Sequence, residues 1–316
     1  MKVLVTDKIN AVAKEIIEKA NGVEVDILPT MGEDELSEKI KEYDALMVRS
    51  QTKVTKKIIE NSNLKIIGRA GVGVDNIDVA SATEKGIIVV NSPDGNTYAA
   101  AEHTIAMMMA VSRNIPQACA SAKAGKWEKS KFTGNEVFGK TLGVIGFGKI
   151  GRHVAHVANA LGMKIIVSDP YAKAEDVKAL GFEYVENRDE LWDKCDYITI
   201  HTPKNKETIH MINKDTISKM KKGIKIINCA RGGIIDEEAL KAGIESGQIS
   251  GAAIDVYENE PDIASSPLLT VNGNIVLTPH LGASTKEAQI KVAVDVANQI
   301  KDVLTGGKAK TPVNKI

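Results

Sequence analysis

Arg231, Glu260 and His280 are side chains of the types needed for proton transfer and anion binding. Each follows a short apolar run, and these runs are 224–228, 252–256 and 275–278. A histidine can exchange a proton near neutral pH, and a glutamate bonded to its other ring nitrogen would fix the tautomer and stabilise the imidazolium. An arginine offers a bidentate fork to a carboxylate. Together they predict acid-base chemistry on a small acid, although each alone is more often structural.

A glycine-rich segment, Gly-Phe-Gly-Lys-Ile-Gly at 146–151, follows the apolar run 141–145 and opens a stretch of helical periodicity. In this pattern the glycines permit a tight turn, a close approach of pyrophosphate and close packing of helix on strand, and the helix N-terminus binds the phosphates. Asp169 lies 18 residues after Gly151, where a carboxylate would bind the ribose of NAD and repel the 2′-phosphate of NADP. The pattern predicts an NAD site, with a glycine turn that only packs as the alternative.

Two other chemistries fit the sequence less well. Residues 143–149 also match the start of a P-loop, but position 150 is Ile, so the hydroxyl that would hold magnesium is absent. His153 and His156 could share a helix face, yet the six histidines form no HxxxH motif or Cys/His cluster. Neither nucleotide hydrolysis nor a metal-dependent reaction is therefore expected.

Short apolar runs alternate with amphipathic stretches in two series along the chain. The first comprises 3–5, 23–28, 45–48, 64–67 and 87–90, and the second 142–145, 165–167, 197–200, 224–227, 252–256 and 275–277. This alternation predicts an α/β protein with two doubly wound parallel-sheet domains. Residues 98–122 have a helical pattern and 125–139 are more polar, so this region is the expected connection. The last helix is expected to begin at Ser284, where Ser-Thr-Lys-Glu287 matches a capping box, with Ile290 on its apolar face.

Bulk composition names no partner beyond a small molecule. The 41 basic and 41 acidic side chains cancel without long runs, so neither a nucleic-acid footprint nor a membrane span is expected. Three separated cysteines suit neither a disulfide framework nor a zinc site. No leader pattern precedes the first predicted strand, and we expect a cytoplasmic protein.

The motifs resemble the D-2-hydroxyacid dehydrogenase family, in order and spacing, from about residue 2 to 314. Besides the glycine segment they are Asn-Cys-Ala-Arg-Gly-Gly at 228–233, Ala-Ile-Asp-Val at 253–256, Glu-Pro at 260–261 and Thr-Pro-His-Leu-Gly-Ala-Ser at 278–284. The resemblance implies a flavodoxin-like substrate-binding domain of residues 1–97 plus 286–316 and a Rossmann NAD-binding domain of residues 98–285. It also implies NAD as cofactor and a homodimer paired through the cofactor domain.

The resemblance further implies roles for individual residues. Arg231, Glu260 and His280 would be the catalytic residues, Asp255 and the backbone near Cys229 would face the nicotinamide, and the Thr202-Pro203 pair would border the adenosine. The cofactor set is Gly146, Gly148, Lys149, Ile150, Gly151, Asp169, Thr202, Pro203, Cys229, Ala230, Arg231, Asp255, His280, Gly282 and Ala283.

Within the family, segments 48–52, 68–76, 91–97 and 125–127 are similar to the branch that oxidises a phosphorylated 2-hydroxy acid. The similarity implies a substrate site whose residues are Arg49, Ser50, Arg69, Gly71, Val72 and Gly73, with the amides of the glycine loop at the carboxylate and the cations near the phosphate. Alternatively, Arg49 and Arg69 only pair with surface acids.

The sequence leaves two alternative functions open. The chain could reduce an unphosphorylated acid such as glyoxylate or hydroxypyruvate, which needs no phosphate site. It could instead be an NAD-sensing binding protein of the corepressor type, although its short termini argue against that. Many phosphate-specific members continue into a regulatory domain, whereas this sequence stops at Ile316, so we expect a short form without feedback of that type.

Overall fold

The computed structural model describes every residue from Met1 to Ile316 and divides into two compact units. The first unit comprises residues 1–97 and 283–316, and the second comprises residues 98–282. The sequence analysis predicted that the C-terminal segment of the first domain begins at residue 286, whereas in the structure it begins three residues earlier, at residue 283. None of its helices is long and apolar enough to cross a membrane.

The first unit is a five-stranded parallel sheet in the order β2-β1-β3-β4-β5. Its strands are β1 Lys2–Val5, β2 Glu24–Ile27, β3 Ala45–Val48, β4 Ile66–Arg69 and β5 Ile88–Val90. Its helices are α1 Val12–Ile17, α2 Glu33–Lys39, α3 Lys56–Glu60, α4 Val79–Glu84 and α11 Lys286–Leu304, with a 3₁₀ turn at Ile40–Glu42. This strand order is the flavodoxin-like order, and the parallel sheet confirms the predicted α/β class.

Alternation along the strands gives the first unit a core on each face of its sheet. Val3 and Val5 of β1 pack with residues of α1 and α11, whereas Leu4 packs with residues of α2 and α3. Successive side chains of a strand point to opposite faces, so a continuous apolar run is buried on both sides. The sequence predicted these strands because buried parallel strands have such runs.

The start of α11 differs from the prediction. Thr285, not Ser284, is the N-cap, and its Oγ1 accepts the backbone N–H of Ala288 at 3.1 Å. Ile290, predicted on the apolar face, is 46% exposed, while Val292 is buried. At about 100° per residue these two positions are roughly 200° apart around the helix, so they cannot share the buried stripe.

The second unit is a seven-stranded parallel sheet in the order β12-β11-β10-β9-β6-β7-β8. Its strands are β6 Thr141–Ile145, β7 Lys164–Ser168, β8 Glu183–Tyr184, β9 Tyr197–Ile200, β10 Ile224–Asn228, β11 Ile249–Ile254 and β12 Ile275–Leu277. The order reverses between β6 and β9, which is the switch point at which open α/β sheets bind ligands. The two-residue edge strand β8 was not predicted.

Helices cover both faces of the second sheet, and the first two of them, α5 and α6, precede its first strand. They are α5 Thr97–Ser112, α6 Ile115–Lys123, α7 Lys149–Ala160, α8 Ala174–Ala179, α9 Lys214–Lys219 and α10 Glu237–Glu245, with 3₁₀ turns at Lys129–Phe132, Arg188–Leu191 and Pro267–Thr270. The single helical stretch predicted over 98–122 is thus two helices. Asn114, with a left-handed φ of 52°, and Pro116 in the first turn of α6 separate them, since neither continues a helix comfortably.

Candidate active site

The glycine segment forms the turn between β6 and α7. Gly146 has a φ of 93°, and a β-carbon there would lie 2.7 Å from the carbonyl oxygen of His201. A β-carbon on Gly151 would overlap the carbonyl oxygen of Gly146, whereas Gly148 faces open space. Gly148 is the N-cap of α7 and provides no side-chain cap, so the helix N-terminus offers its amides to a ligand.

The neighbouring strand ends also suit a dinucleotide. Asp169 directly follows β7, and its carboxylate accepts the backbone N–H groups of Phe147 and Tyr171, the latter at 2.7 Å. Thr202 and Pro203 follow β9, and the Oγ1 atom of Thr202 is buried without a hydrogen-bond partner. Such an orphaned hydroxyl is expected where a bound molecule supplies the partner. The residues present therefore fit NAD.

The predicted acid-base residues follow three adjacent strands at the same edge of the second sheet. Arg231 follows β10, Glu260 lies in the loop after β11, and His280 follows β12. These strands pair in parallel, β10 with β11 and β11 with β12, so their carboxyl ends meet. Strand β11 ends at Ile254, two residues before the predicted end, which places Asp255 in the first position after the strand.

His280 and Glu260 form a direct pair, with Nδ1 of the histidine 2.6 Å from Oε2 of the glutamate. The other glutamate oxygen, Oε1, accepts the backbone N–H of Tyr257 at 2.8 Å. Burial raises the pKa of Glu260, but the hydrogen bond and charge of His280 and the Tyr257 amide outweigh it, so the pKa is lowered overall. The glutamate is therefore an anion that orients the imidazole.

The turn after β10 is shaped by Asn228. Its Oδ1 accepts the N–H of Ala230 at 3.0 Å, and its Nδ2 donates to the carbonyl of Arg231 at 2.9 Å. The guanidinium Nη1 of Arg231 donates to the carbonyl oxygen of Ala230 at 2.7 Å. These contacts keep the arginine at the edge where Glu260 and His280 lie.

Asp255 is fully buried, and its carboxylate is surrounded by donors. The Oδ1 atom accepts from the Thr278 hydroxyl and the Leu281 amide, and Oδ2 accepts from the Gly282 amide. Burial raises the pKa of Asp255, but the hydrogen bonds from His103, Thr278 and Leu281 outweigh burial and lower the pKa overall, so the group is ionised. The sequence predicted Asp255 at the nicotinamide, and this role stays a prediction; in the structure its carboxylate holds the loop that carries His280.

The sequence analysis did not find His103. Its ring nitrogen, the Cys229 sulfur and an Asp255 carboxylate oxygen, which are atoms of the kinds that bind metals, lie within 4.8 Å of one another. The three residues are 126 and 26 positions apart in the chain, so no local motif joins them. Burial, with the Asp255 charge, raises the pKa of the Cys229 thiol to about 12, which disfavours the thiolate that a metal needs. Hydrogen bonds account for the Asp255 oxygens without a cation.

In the first unit, Arg69 is the last residue of β4, and the other predicted substrate residues lie on two loops that follow the adjacent strands β3 and β4. Asp7, also missed from sequence, organises the first loop by accepting the Arg49 amide at 2.7 Å and the Thr52 hydroxyl at 2.6 Å. The Arg49 guanidinium donates to the carbonyl of Lys8 at 3.1 Å. Ser50, next to Arg49, is exposed.

The second loop contains Gly71, Val72 and Gly73. The Ser92 amide donates to the carbonyl of Gly71 at 2.9 Å, and the Asn91 side chain donates to the carbonyl of Val72 at 2.5 Å. A β-carbon on Gly71 would overlap the guanidinium of Arg69, so that cation lies directly against the glycine loop. The first unit thus contains a glycine loop held by two hydrogen bonds, with an arginine beside it. Such an arrangement is suited to binding an anion.

Fold and site together define a class: a Rossmann-type dinucleotide-binding protein in which an arginine and a histidine–glutamate pair follow adjacent strands of the sheet. Residues 105–282 match the NAD-binding domain of the D-isomer specific 2-hydroxyacid dehydrogenases. The chain belongs to this family, which confirms the resemblance and NAD as cofactor.

Individual proteins that resemble this chain are dehydrogenases and a reductase by name. A D-3-phosphoglycerate dehydrogenase from Synechocystis is 55% identical over 99% of this chain and 56% of its own length, and one from Methanocaldococcus jannaschii is 50% identical over 99% and 59%. The chain therefore spans less than three fifths of the length of these relatives. A solved glyoxylate reductase from Paecilomyes thermophila, 33% identical, superposes over 99% of this chain and 98% of its own with a TM-score of 0.89.

Proposed function

We propose that the chain catalyses the NAD-dependent oxidation of D-3-phosphoglycerate to 3-phosphohydroxypyruvate. The observation that carries the proposal is the 2.6 Å pair of His280 Nδ1 with Glu260 Oε2, at the strand edge that also holds the dinucleotide-binding turn. The names of the relatives supply the substrate. This reaction would serve amino-acid biosynthesis at the entry to serine.

In this mechanism His280 takes the proton of the substrate hydroxyl through Nε2, since Nδ1 is occupied by Glu260. The anionic glutamate stabilises the imidazolium that forms. Arg231, a permanent cation, polarises the oxygen that becomes a carbonyl. NAD would be held by the glycine turn and the neighbouring strand ends, and it would supply the acceptor for the hydride of the substrate carbon. In the reverse direction His280 returns the proton to the carbonyl oxygen.

The substrate anion is assigned to the first unit. The amides of Gly71 to Gly73 bind the carboxylate, and Arg49, Ser50 and Arg69 bind the phosphate, because a dianion requires several donors and cations. The organised Arg49 loop and the pinned glycine loop support this assignment. The first unit is thus the substrate-binding domain and the second the NAD-binding domain.

The proposed NAD contacts are divided by position along the chain. Gly146 to Gly151 hold the pyrophosphate, Asp169 the adenosine ribose, and Thr202 with Pro203 the adenosine. The nicotinamide is bordered by residues at the ends of β10 to β12, namely Cys229, Ala230, Arg231, Asp255, His280, Gly282 and Ala283.

Assembly and location complete the proposal. Large apolar side chains are exposed on α5, on α6 and in the segment after them, namely Tyr98, Ile115, Trp127 and Phe138, with Trp127 92% exposed. Such exposure supports a homodimer that buries them. All three cysteines are free, which suits the reducing cytoplasm.

The test is NADH oxidation with 3-phosphohydroxypyruvate, compared with hydroxypyruvate, glyoxylate and pyruvate on one enzyme preparation. A kcat/KM highest for the phosphorylated acid is the expected result. Equal or higher values with glyoxylate or hydroxypyruvate would move the function to reduction of plain 2-oxo acids, as in the glyoxylate reductase of similar structure. NADH binding without turnover of any acid would leave a sensing protein.

A further inference from the structure

His103, on α5, contacts the group that holds the His280 loop. Its Nε2 atom lies 3.2 Å from Oδ1 of Asp255 and 3.3 Å from Oγ1 of Thr278. The histidine side chain is 20% exposed, while Asp255 is fully buried. In this partly desolvated setting a hydrogen bond to a carboxylate is stronger than at the surface.

The hydrogen-bond pattern fixes which atom carries the proton. The Thr278 hydroxyl has one hydrogen, and it points to Asp255 Oδ1 at 2.5 Å or to the Met107 sulfur at 3.7 Å. Nε2 of His103 therefore faces lone pairs on both oxygens and must bear a hydrogen. His103 acts as a donor that supports the negative charge of Asp255.

Asp255 in turn fixes three consecutive residues of the His280 loop. Its main-chain carbonyl accepts the His280 amide at 2.8 Å, and its carboxylate accepts the Leu281 amide at 2.7 Å and the Gly282 amide at 2.8 Å. His280 itself has a φ of 54°. A non-glycine residue keeps this left-handed conformation only where its surroundings hold it there.

We propose that His103 is a positioning residue for the reaction: its Nε2–H anchors the Asp255 carboxylate, which sets the backbone of residues 280–282 and so aims the His280 imidazole at the substrate. The proposal rests on the proposed function of His280 as the acid-base group. No hydrogen bond joins His103 to Glu260 or His280, so it acts on the loop through Asp255, with Thr278 as its second neighbour.

The test compares two replacements in the full chain. His103→Leu removes the donor, whereas His103→Gln places an amide N–H near the position of Nε2. We expect His103→Leu to lower kcat about tenfold to a hundredfold, the effect of a slightly misplaced reacting group, with the Kd for NADH within about twofold. His103→Gln recovers most of the loss. His156→Leu is the matched control, because His156 is an exposed helical histidine whose ring meets Phe182 edge-to-face, with 5.6 Å between the ring centroids.

Wild-type kcat in His103→Leu overturns the proposal, and so does an equal loss in the Leu and Gln variants or a parallel loss of NADH binding. If the Leu variant does not fold, His103→Asn replaces it, because its shorter amide cannot reach Asp255.

A second readout separates this proposal from the function. In protein labelled with ¹³C-histidine, the His280 ring signal, assigned with His280→Gln, is expected to move in His103→Leu and to stay in His103→Gln and His156→Leu. An unmoved signal overturns the positioning role. Full activity of His280→Ala would instead refute the proposed function, whatever the ring signal does.

Discussion

The carboxylate of Glu260 joins the ring of His280 to the backbone of its own loop: Oε2 lies 2.6 Å from His280 Nδ1, and Oε1 accepts the Tyr257 amide at 2.8 Å. One oxygen orients the imidazole while the other fixes the glutamate. The pair is thus pre-arranged, and no rotamer has to be selected when a substrate arrives. Charge and geometry can be separated by mutation.

Glu260→Gln keeps the size of the side chain and an acceptor oxygen but removes the negative charge. We expect its kcat to fall by about tenfold or more, because the imidazolium formed during proton transfer loses its counter-charge. The kcat of His280→Ala should fall by at least about a hundredfold, because the acid-base group itself is lost. Stopped-flow NADH binding should be unchanged in Glu260→Gln. Glu258→Gln is the control, since Glu258 lies in the same loop as Glu260 but pairs with a different histidine, His210, at 3.1 Å. Full activity of Glu260→Gln would contradict the role of the charge.

Two glycines of the α7 turn should respond differently to alanine. Gly151→Ala is expected to lower the melting temperature, because its β-carbon would meet the Gly146 carbonyl, whereas Gly148→Ala meets open space and has a φ of −70°. Gly148→Ala should instead weaken NADH binding by about tenfold or more, since the pyrophosphate approaches that backbone. Calorimetry of unfolding and titration of NADH distinguish the two effects. Equal NADH affinity in Gly148→Ala and wild type would count against the phosphate site.

The stability of the second unit should depend on His201. Burial lowers the pKa of His201 from 6.5 to about 4. Below pH 6.5 the unfolded chain therefore binds a proton at this histidine, whereas the folded chain does so only near pH 4. The free energy of unfolding therefore falls as pH drops through this interval, and it is fully retained above it. His201→Gln removes the titration and should flatten the profile.

Urea unfolding at pH 7, 6 and 5 measures this dependence. His156→Gln, at an exposed position, should keep the slope of the wild type. Parallel profiles for wild type and His201→Gln would show that His201 does not titrate in this way.

Arg49 should discriminate between phosphorylated and plain acids. Arg49→Ala is expected to raise KM for 3-phosphohydroxypyruvate by about tenfold or more, because a charge-assisted contact to the phosphate is lost, and to leave KM for hydroxypyruvate unchanged. Lys53→Ala removes an exposed cation from the same loop and should change neither value. An equal rise for both acids in Arg49→Ala would mean that the arginine supports the loop rather than the phosphate.

Apolar patterning predicted both sheets because parallel strands buried on two faces are continuous apolar runs, as in β3, whose four residues are all buried. The two-residue strand β8 has no such run. The break between α5 and α6 followed from single-residue backbone geometry at Asn114, which the apolar periodicity of 98–122 conceals.

The candidate site was predicted where each residue follows a strand or a glycine motif, as for Gly146, Arg231 and His280. Asp7 and His103 were missed because their partners are distant in sequence: Asp7 binds Arg49, 42 residues away, and His103 meets Thr278, 175 residues away. Only the fold shows that an ordinary helical histidine faces a buried carboxylate.

The core of the first unit has a consequence for the order of folding during synthesis. Its face lined by Val3, Val5 and Met47 is covered by Val292 and Val296 of α11, near the other end of the chain. A ribosome releases residues 1–97 long before α11, so the part of this face that α1 does not cover stays exposed while the second unit, one continuous stretch, is synthesised. We expect the nascent N-terminal segment to be the part of the chain that most needs chaperone protection.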